Sequence, residues 1–159
     1  MTLGPPKRPL SWLEDAPRRG RIEAQARRAY PNLTYARRRR TGRHVSIYRA
    51  TVDVPGYEAR EVTIEFDHKY PSTPSVFSDG PSSRADSPHR YPDRARTHLC
   101  IWYPKDPASR TWVPDDGILA LFGMAAEHLF KEAWWREHGQ WLGDEFPHDE
   151  LSLGKKTHR

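Results

Sequence analysis

"AREVTIEF", residues 59–66, alternates in character: Val62, Ile64 and Phe66 fall between Glu61, Thr63 and Glu65. A period of two belongs to a strand with one face buried and the other in water. The apolar members are β-branched or aromatic, the types that fit a pleated surface. Upstream, "NLTYARRRR" (32–40) and "HVSIYRATVDV" (44–54) read as two more extended segments. The connections around Gly42 and Gly56, "RTGR" and "VPGY", are short enough for an antiparallel meander. A fourth short strand is expected at "SVF" (75–77), after the stiff "YPSTP".

The period changes on both sides of these strands. "PRRGRIEAQARRAYP" (17–31) places Ile22, Ala26 and Ala29 or Tyr30 at spacings of three and four, and Pro31 ends the pattern, so a helix is expected. Residues 78–98 are rich in Ser, Pro, Asp and Arg and read as a long loop leading to Cys100. After "TWVP" (111–114), a long helix is expected from Asp115 or Asp116, whose carboxylates suit a helix N-terminus. Its apolar face runs through Ile118, Leu121 or Phe122, Ala125, Leu129 and Ala133 to a stop at Gly139. The expected fold is α+β: an N-terminal helix, a four-stranded antiparallel meander, a long loop at the cysteine and a long helix on the sheet. One domain over residues 17–148 is expected, between flexible segments 1–16 and 149–159. The sequence contains no internal repeat.

The chain of 159 residues has room for one core, and six tryptophans argue against disorder. Its net charge of +5 is unevenly placed. Residues 1–43 hold twelve of the 26 basic residues and three of the 21 acidic ones, so the remainder is acidic. The single cysteine excludes an internal disulfide, and no stretch has the length of a membrane span or the apolar core of a signal peptide. A cytoplasmic protein with no membrane partner is expected. Arg37 to Arg40 with Arg43 have the charge to track phosphates, yet they sit at a hairpin turn where arginines face water. No Gly-rich phosphate loop, zinc finger or RNA-binding aromatic motif accompanies them, so nucleic acid is not the expected partner and no cofactor is called for. Trp134, Trp135 and Trp141 read as core or staple residues.

Cys100, in "THLCIWYP" (97–104), admits four readings. It is a small core hydrophobe, a metal ligand with His89, His98 and His128, a hydrolase nucleophile served by His128, His138 or His148, or a carrier that holds an acyl group. The metal reading lacks a second cysteine or a close histidine pair. The hydrolase reading lacks a local signature. A reactive thiol needs access and a field that favours thiolate, which His98, Arg94 and Arg96 are placed in sequence to supply.

Four segments in order resemble a ubiquitin-conjugating enzyme domain over roughly residues 17–148. "YPSTPSVFSDG" (70–80) resembles that family's Tyr-Pro-x-x-Pro-Pro-x-Val-x-Phe segment, with Ser75 at the second proline of the pair. His89 lies eleven residues before Cys100, close to the family's spacing between its His-Pro-Asn motif and the thioester cysteine. "HLC" resembles the Ile-Cys ending, and "TWVP" the Trp-x-Pro that opens the next helix. Two departures stand out. The upstream motif reads His89-Arg90-Tyr91, without the asparagine, and the chain ends in "WWREHGQWLGDEFPH" and a short tail, without the usual pair of C-terminal helices. Both are similar to divergent bacterial members encoded with an activating enzyme and a ubiquitin-like protein, or with a cGAS-like nucleotidyltransferase in antiphage operons.

The resemblance implies that Cys100 is the thioester nucleophile, an exposed thiol at the end of the 78–98 loop, with His89, Tyr91 and His98 as candidate supporting residues. It implies an activating enzyme docked on the basic helix through Arg18, Arg19, Arg21, Arg27 and Arg28. The other partners would be a ubiquitin-like modifier or the nucleotidyltransferase C-terminus, and a protein target. A catalytically inert binding module of the same fold is the second reading, and a Cys-His hydrolase the third.

Overall fold

The computed structural model describes residues 11–81, 87–93, 96–102 and 106–143. Two helices pack on one antiparallel sheet, as the α+β expectation has it. The first helix, α1 (Ala16–Ala29), starts where the Asp15 carboxylate accepts from the Arg18 N–H and Pro17 sits in the first turn. Strands β1 (Thr34–Arg40), β2 (Arg43–Val52), β3 (Arg60–Asp67) and β4 (Ser75–Ser78) form the expected meander. The register pairs Tyr48 with Ile64 and Ala50 with Val62, and places Val76 opposite Ile64. One face of the sheet is therefore continuous apolar surface, and it meets Ile118, Leu121, Phe122, Ala125 and Leu129 of the second helix, α2 (Gly117–His138). A three-residue turn of 3-10 helix, Pro114–Asp116, leads into α2. Gly117 then takes φ +76°, a conformation that disfavours any side chain, and Gly139 closes α2 in the left-handed region.

The sheet is larger than expected. Two short strands, β5 (Arg90–Asp93) and β6 (Arg96–Leu99), occupy part of the stretch read as loop, so the sheet has six strands in the order β1-β2-β3-β4-β6-β5. They escape sequence reading because "RYPD" and "RTHL" carry no apolar alternation, and Pro92 argues against a strand. Their ties to the rest of the fold are side-chain ties, described below.

The packed core also reaches closer to the N-terminus than residue 17. Trp12 is 1% exposed and Leu13 is 0% exposed. Trp12 meets Phe66 edge to face at 5.2 Å, and Phe66 in turn contacts Tyr48 and Trp112. Residues 1–10 and 144–159, which include most of both expected flexible segments, lie outside the described residues. A polar chain holds the 11–15 turn to the sheet: Glu14 binds His68 Nδ1, His68 Nε2 lies 2.7 Å from Ser46 Oγ, and Ser46 lies 3.3 Å from the Tyr35 hydroxyl. The order Ser-His-Glu is that of a hydrolase relay, but Ser46 is fully buried and has no room for a substrate.

Phe66 joins the N-terminal turn, the sheet and the Trp112 segment. Phe66→Ala should cost about 3–5 kcal/mol in urea unfolding, the range for a large buried aromatic, without change in m-value.

Candidate active site around Cys100

Strands β5 and β6 form a ribbon in which Arg90 pairs with Leu99 and Tyr91 with His98. The ladder runs one rung further, for the Cys100 N–H donates to the His89 carbonyl at 3.0 Å. Alternation then sorts the side chains. Arg90 and Leu99 turn inward and are buried. Tyr91, His98 and Cys100 gather: the Tyr91 hydroxyl is 3.5 Å from Cys100 Sγ, and the Tyr91 and His98 ring centres are 5.4 Å apart. His89 is buried, its ring 4.0 Å from that of Trp141 and 6.5 Å from that of His128. His89, His128 and Cys100 line one cavity of about 750 Å³, between the ribbon, the 106–111 turn and α2. The structure thus collects all four residues singled out at this site, His89 through the cavity and the other three through direct contact.

The charge environment differs from the expectation. Cys100 is half-buried rather than exposed. Burial pushes its thiol pKa up, the hydrogen bond with Tyr91 opposes this, and Asp106 adds to the rise. Arg96 does not serve the thiol. Its guanidinium binds both Glu65 oxygens, at 2.9 and 3.2 Å, and covers the Phe77 ring at 3.8 Å. Arg94 lies outside the described residues. Among the described residues, the surroundings of the thiol therefore favour its neutral form.

Two residues that sequence reading missed hold the ribbon to α2. Arg90 donates from Nε and Nη2 to the Glu132 carboxylate at 2.9 and 2.6 Å, and the two side chains are 1% and 0% exposed. Arg136 donates to the same carboxylate at 2.7 Å, and His128 Nε2 lies 3.6 Å from it. Burial raises the Glu132 pKa, but His128, Arg90 and Arg136 outweigh it and hold the carboxyl far below the usual range. The available signal was a glutamate inside the apolar face of α2, between Leu129 and Ala133.

Among the other candidates, His138 stacks on Trp134 at the exposed end of α2, and His148 lies outside the described residues. No group of three or more His, Cys, Asp or Glu among the described residues is placed to hold a metal ion. No helix among them is long and apolar enough to cross a membrane. The five arginines of α1 divide. Arg18 pairs with Asp115 at 2.6 Å, Arg19 reaches the Leu13 carbonyl and the Tyr35 ring, and Arg27 lies 3.5 Å from Glu23. Arg21 and Arg28 are exposed.

A family model described as Type II CBASS E2 protein matches residues 23–149, a span that includes every residue of the site. Comparisons with curated proteins and with solved structures give no match.

Removing one partner of a buried ion pair strands the other. Arg90→Met should therefore cost about 3–5 kcal/mol at pH 7, and Arg90→Met with Glu132→Leu should recover most of it. Because the folded pKa of Glu132 is depressed, its contribution is complete above the ordinary carboxylate pKa. It is lost as pH falls towards the folded value. Urea unfolding of the wild type should weaken between about pH 5 and pH 3, and the double variant should weaken less.

Proposed function

The chain belongs to the Type II CBASS E2 protein family, bacterial antiphage proteins with a conjugation-related role, and from that footing we propose that Cys100 carries an acyl group as a thioester and passes it to an amine. The acyl group is the C-terminus of a ubiquitin-like protein or of a cGAS-like nucleotidyltransferase, and an activating enzyme delivers it. The observation that carries the reading is the match over residues 23–149 joined to the placement of the chain's one thiol against Tyr91, at the mouth of a cavity. The order of helix, meander, cysteine segment and Trp-led helix, which resembles the ubiquitin-conjugating layout, supports it.

In the first step Cys100 loses its proton, its sulfur attacks the incoming thioester carbonyl, and the donor thiol leaves. In the second, an amine attacks the Cys100 thioester, and the tetrahedral oxyanion collapses to an amide with release of the Cys100 thiolate. The oxyanion needs a donor. Tyr91, whose hydroxyl already lies beside the sulfur, takes the place of the asparagine in this scheme. The same hydroxyl donates to the thiolate and accepts from the thiol. His89 supports the cysteine through its carbonyl, and its ring lines the cavity beside the thiol. His98, against the far side of the Tyr91 ring, orients the phenol.

Incubated with its activating enzyme, ATP and modifier, the protein should gain one modifier in a bond that thiol reductants cleave. Cys100→Ser should give a reductant-resistant ester or none, and Cys100→Ala none. With the thiol pKa raised above its ordinary value, loading should still climb with pH through and beyond that value. Tyr91→Phe should slow discharge to an amine by about 10²-fold and loading much less. A Cys100 that never loads would leave the inert module, and loss of the acyl group to water in the presence of amine would leave the hydrolase.

The basic helix docks the activating enzyme in this reading, and its two exposed charges without an ion-pair partner among the described residues carry the attraction. Arg21→Glu with Arg28→Glu should slow loading several-fold at low salt, with the difference fading at high salt and the melting curve unchanged.

A further inference from the structure

The lining of the cavity beside Cys100 is mixed. Its apolar part comes from Ile101, Trp102, Met124 and Trp141, all partly buried, and the buried His128 joins them. Charged residues line it too, among them the half-buried Asp106, whose carboxylate acts on the Cys100 thiol. Glu127 and Lys131 neutralise each other at 2.7 Å, and the Asp116 carboxylate is engaged by the Val113 N–H at 2.9 Å. Asp116, Glu127 and Arg110 all belong to exposed residues. His128 Nε2 has no hydrogen bond within the usual length; the nearest acceptor is the Glu132 carboxylate at 3.6 Å. A buried imidazole beside apolar groups is suited to orient a ligand that brings its own hydrogen-bonding group.

A peptide tail joined to Cys100 must pass this lining. In an extended chain each residue advances about 3.3 Å, so the one or two side chains before the thioester carbonyl fall within the cavity's reach. Resting on the carrier reading above, we propose that this cavity selects the acyl donor by those side chains, and that it takes an uncharged apolar one. The tail's backbone carbonyl or N–H meets His128, and its side chain lies among Trp102, Met124 and Trp141. A charged side chain at that place would lose water against these apolar groups, and an acidic one would also meet the Asp106 carboxylate.

The test bypasses the activating enzyme. The full chain is mixed with synthetic decapeptide thioesters of a small alkyl thiol that differ only in the residue before the terminal glycine: Leu, Arg or Asp. The Cys100 sulfur attacks the peptide carbonyl and the small thiolate leaves, so atoms balance without a co-reactant. The adduct is followed by intact mass. The Leu peptide should load about tenfold faster than either charged peptide. Met124→Lys should speed the Asp peptide at least about threefold over its wild-type rate while slowing the Leu peptide, a gain that misfolding does not produce. Equal rates for the three peptides, or a charged peptide that loads fastest, would overturn the selection and leave the carrier role intact. No transfer from any peptide, with Cys100 still open to alkylation, would overturn the carrier role itself.

Discussion

The ion pair between Arg90 and Glu132 fixes the part of the molecule that matters most. The β5–β6 ribbon touches the rest of the sheet by one rung, Phe77 opposite His98. Two strands of four residues joined so thinly have little backbone reason to hold a single position. Side chains supply it from both faces. On the core side Arg90 enters α2 and meets Glu132. On the outer side Arg96 crosses the Phe77 ring to Glu65, which also takes Arg40 from the far edge of the meander. A buried pair of this kind adds little net stability, since desolvation offsets most of its attraction. What it adds is position, because a bidentate guanidinium fits a carboxylate in few ways.

The legible part of the fold was the part whose partners lie close in sequence. Val62, Ile64 and Phe66 announce β3 by alternation, and Ile118 to Leu129 announce α2 by spacing, because each element carries its own amphipathic stripe. The ribbon carries none. Arg90 and Glu132 are separated by 42 residues, and no local pattern links them. Trp12 and Leu13 were hidden by the prolines before them, which made a core residue look like part of a tail. At the site, Tyr91, His98 and Cys100 were legible through the resemblance and their chemistry, since their segment reads as loop. The placing of Arg96 needed Glu65, which no reading of the loop contains. A basic residue near a cysteine in sequence is a poor guide to the field at its sulfur.

The thiol shows the same competition between solvent and partner. Burial favours the neutral form, and the Tyr91 hydroxyl favours the charged one. In the proposed carrier role, one Tyr91 hydroxyl would serve both the nucleophile and the oxyanion, so a change there would act on both steps in different proportion.

Among the described residues, no further strand pairs with the two borders of the sheet, β1 on one side and β5 on the other. Open borders invite a neighbouring chain to add a strand, the first contact of many aggregates. Here the two are blunted by different means. The β1 border ends in Arg37 to Arg40, of which Arg37 and Arg40 have acidic partners, so a second copy approaching strand to strand would bring like charges together at Arg38 and Arg39. The β5 border carries Pro92, which has no N–H to offer a newcomer. An arginine run that looks like a nucleic-acid patch, and a proline that looks like a loop residue, thus both stand where they disfavour an added strand.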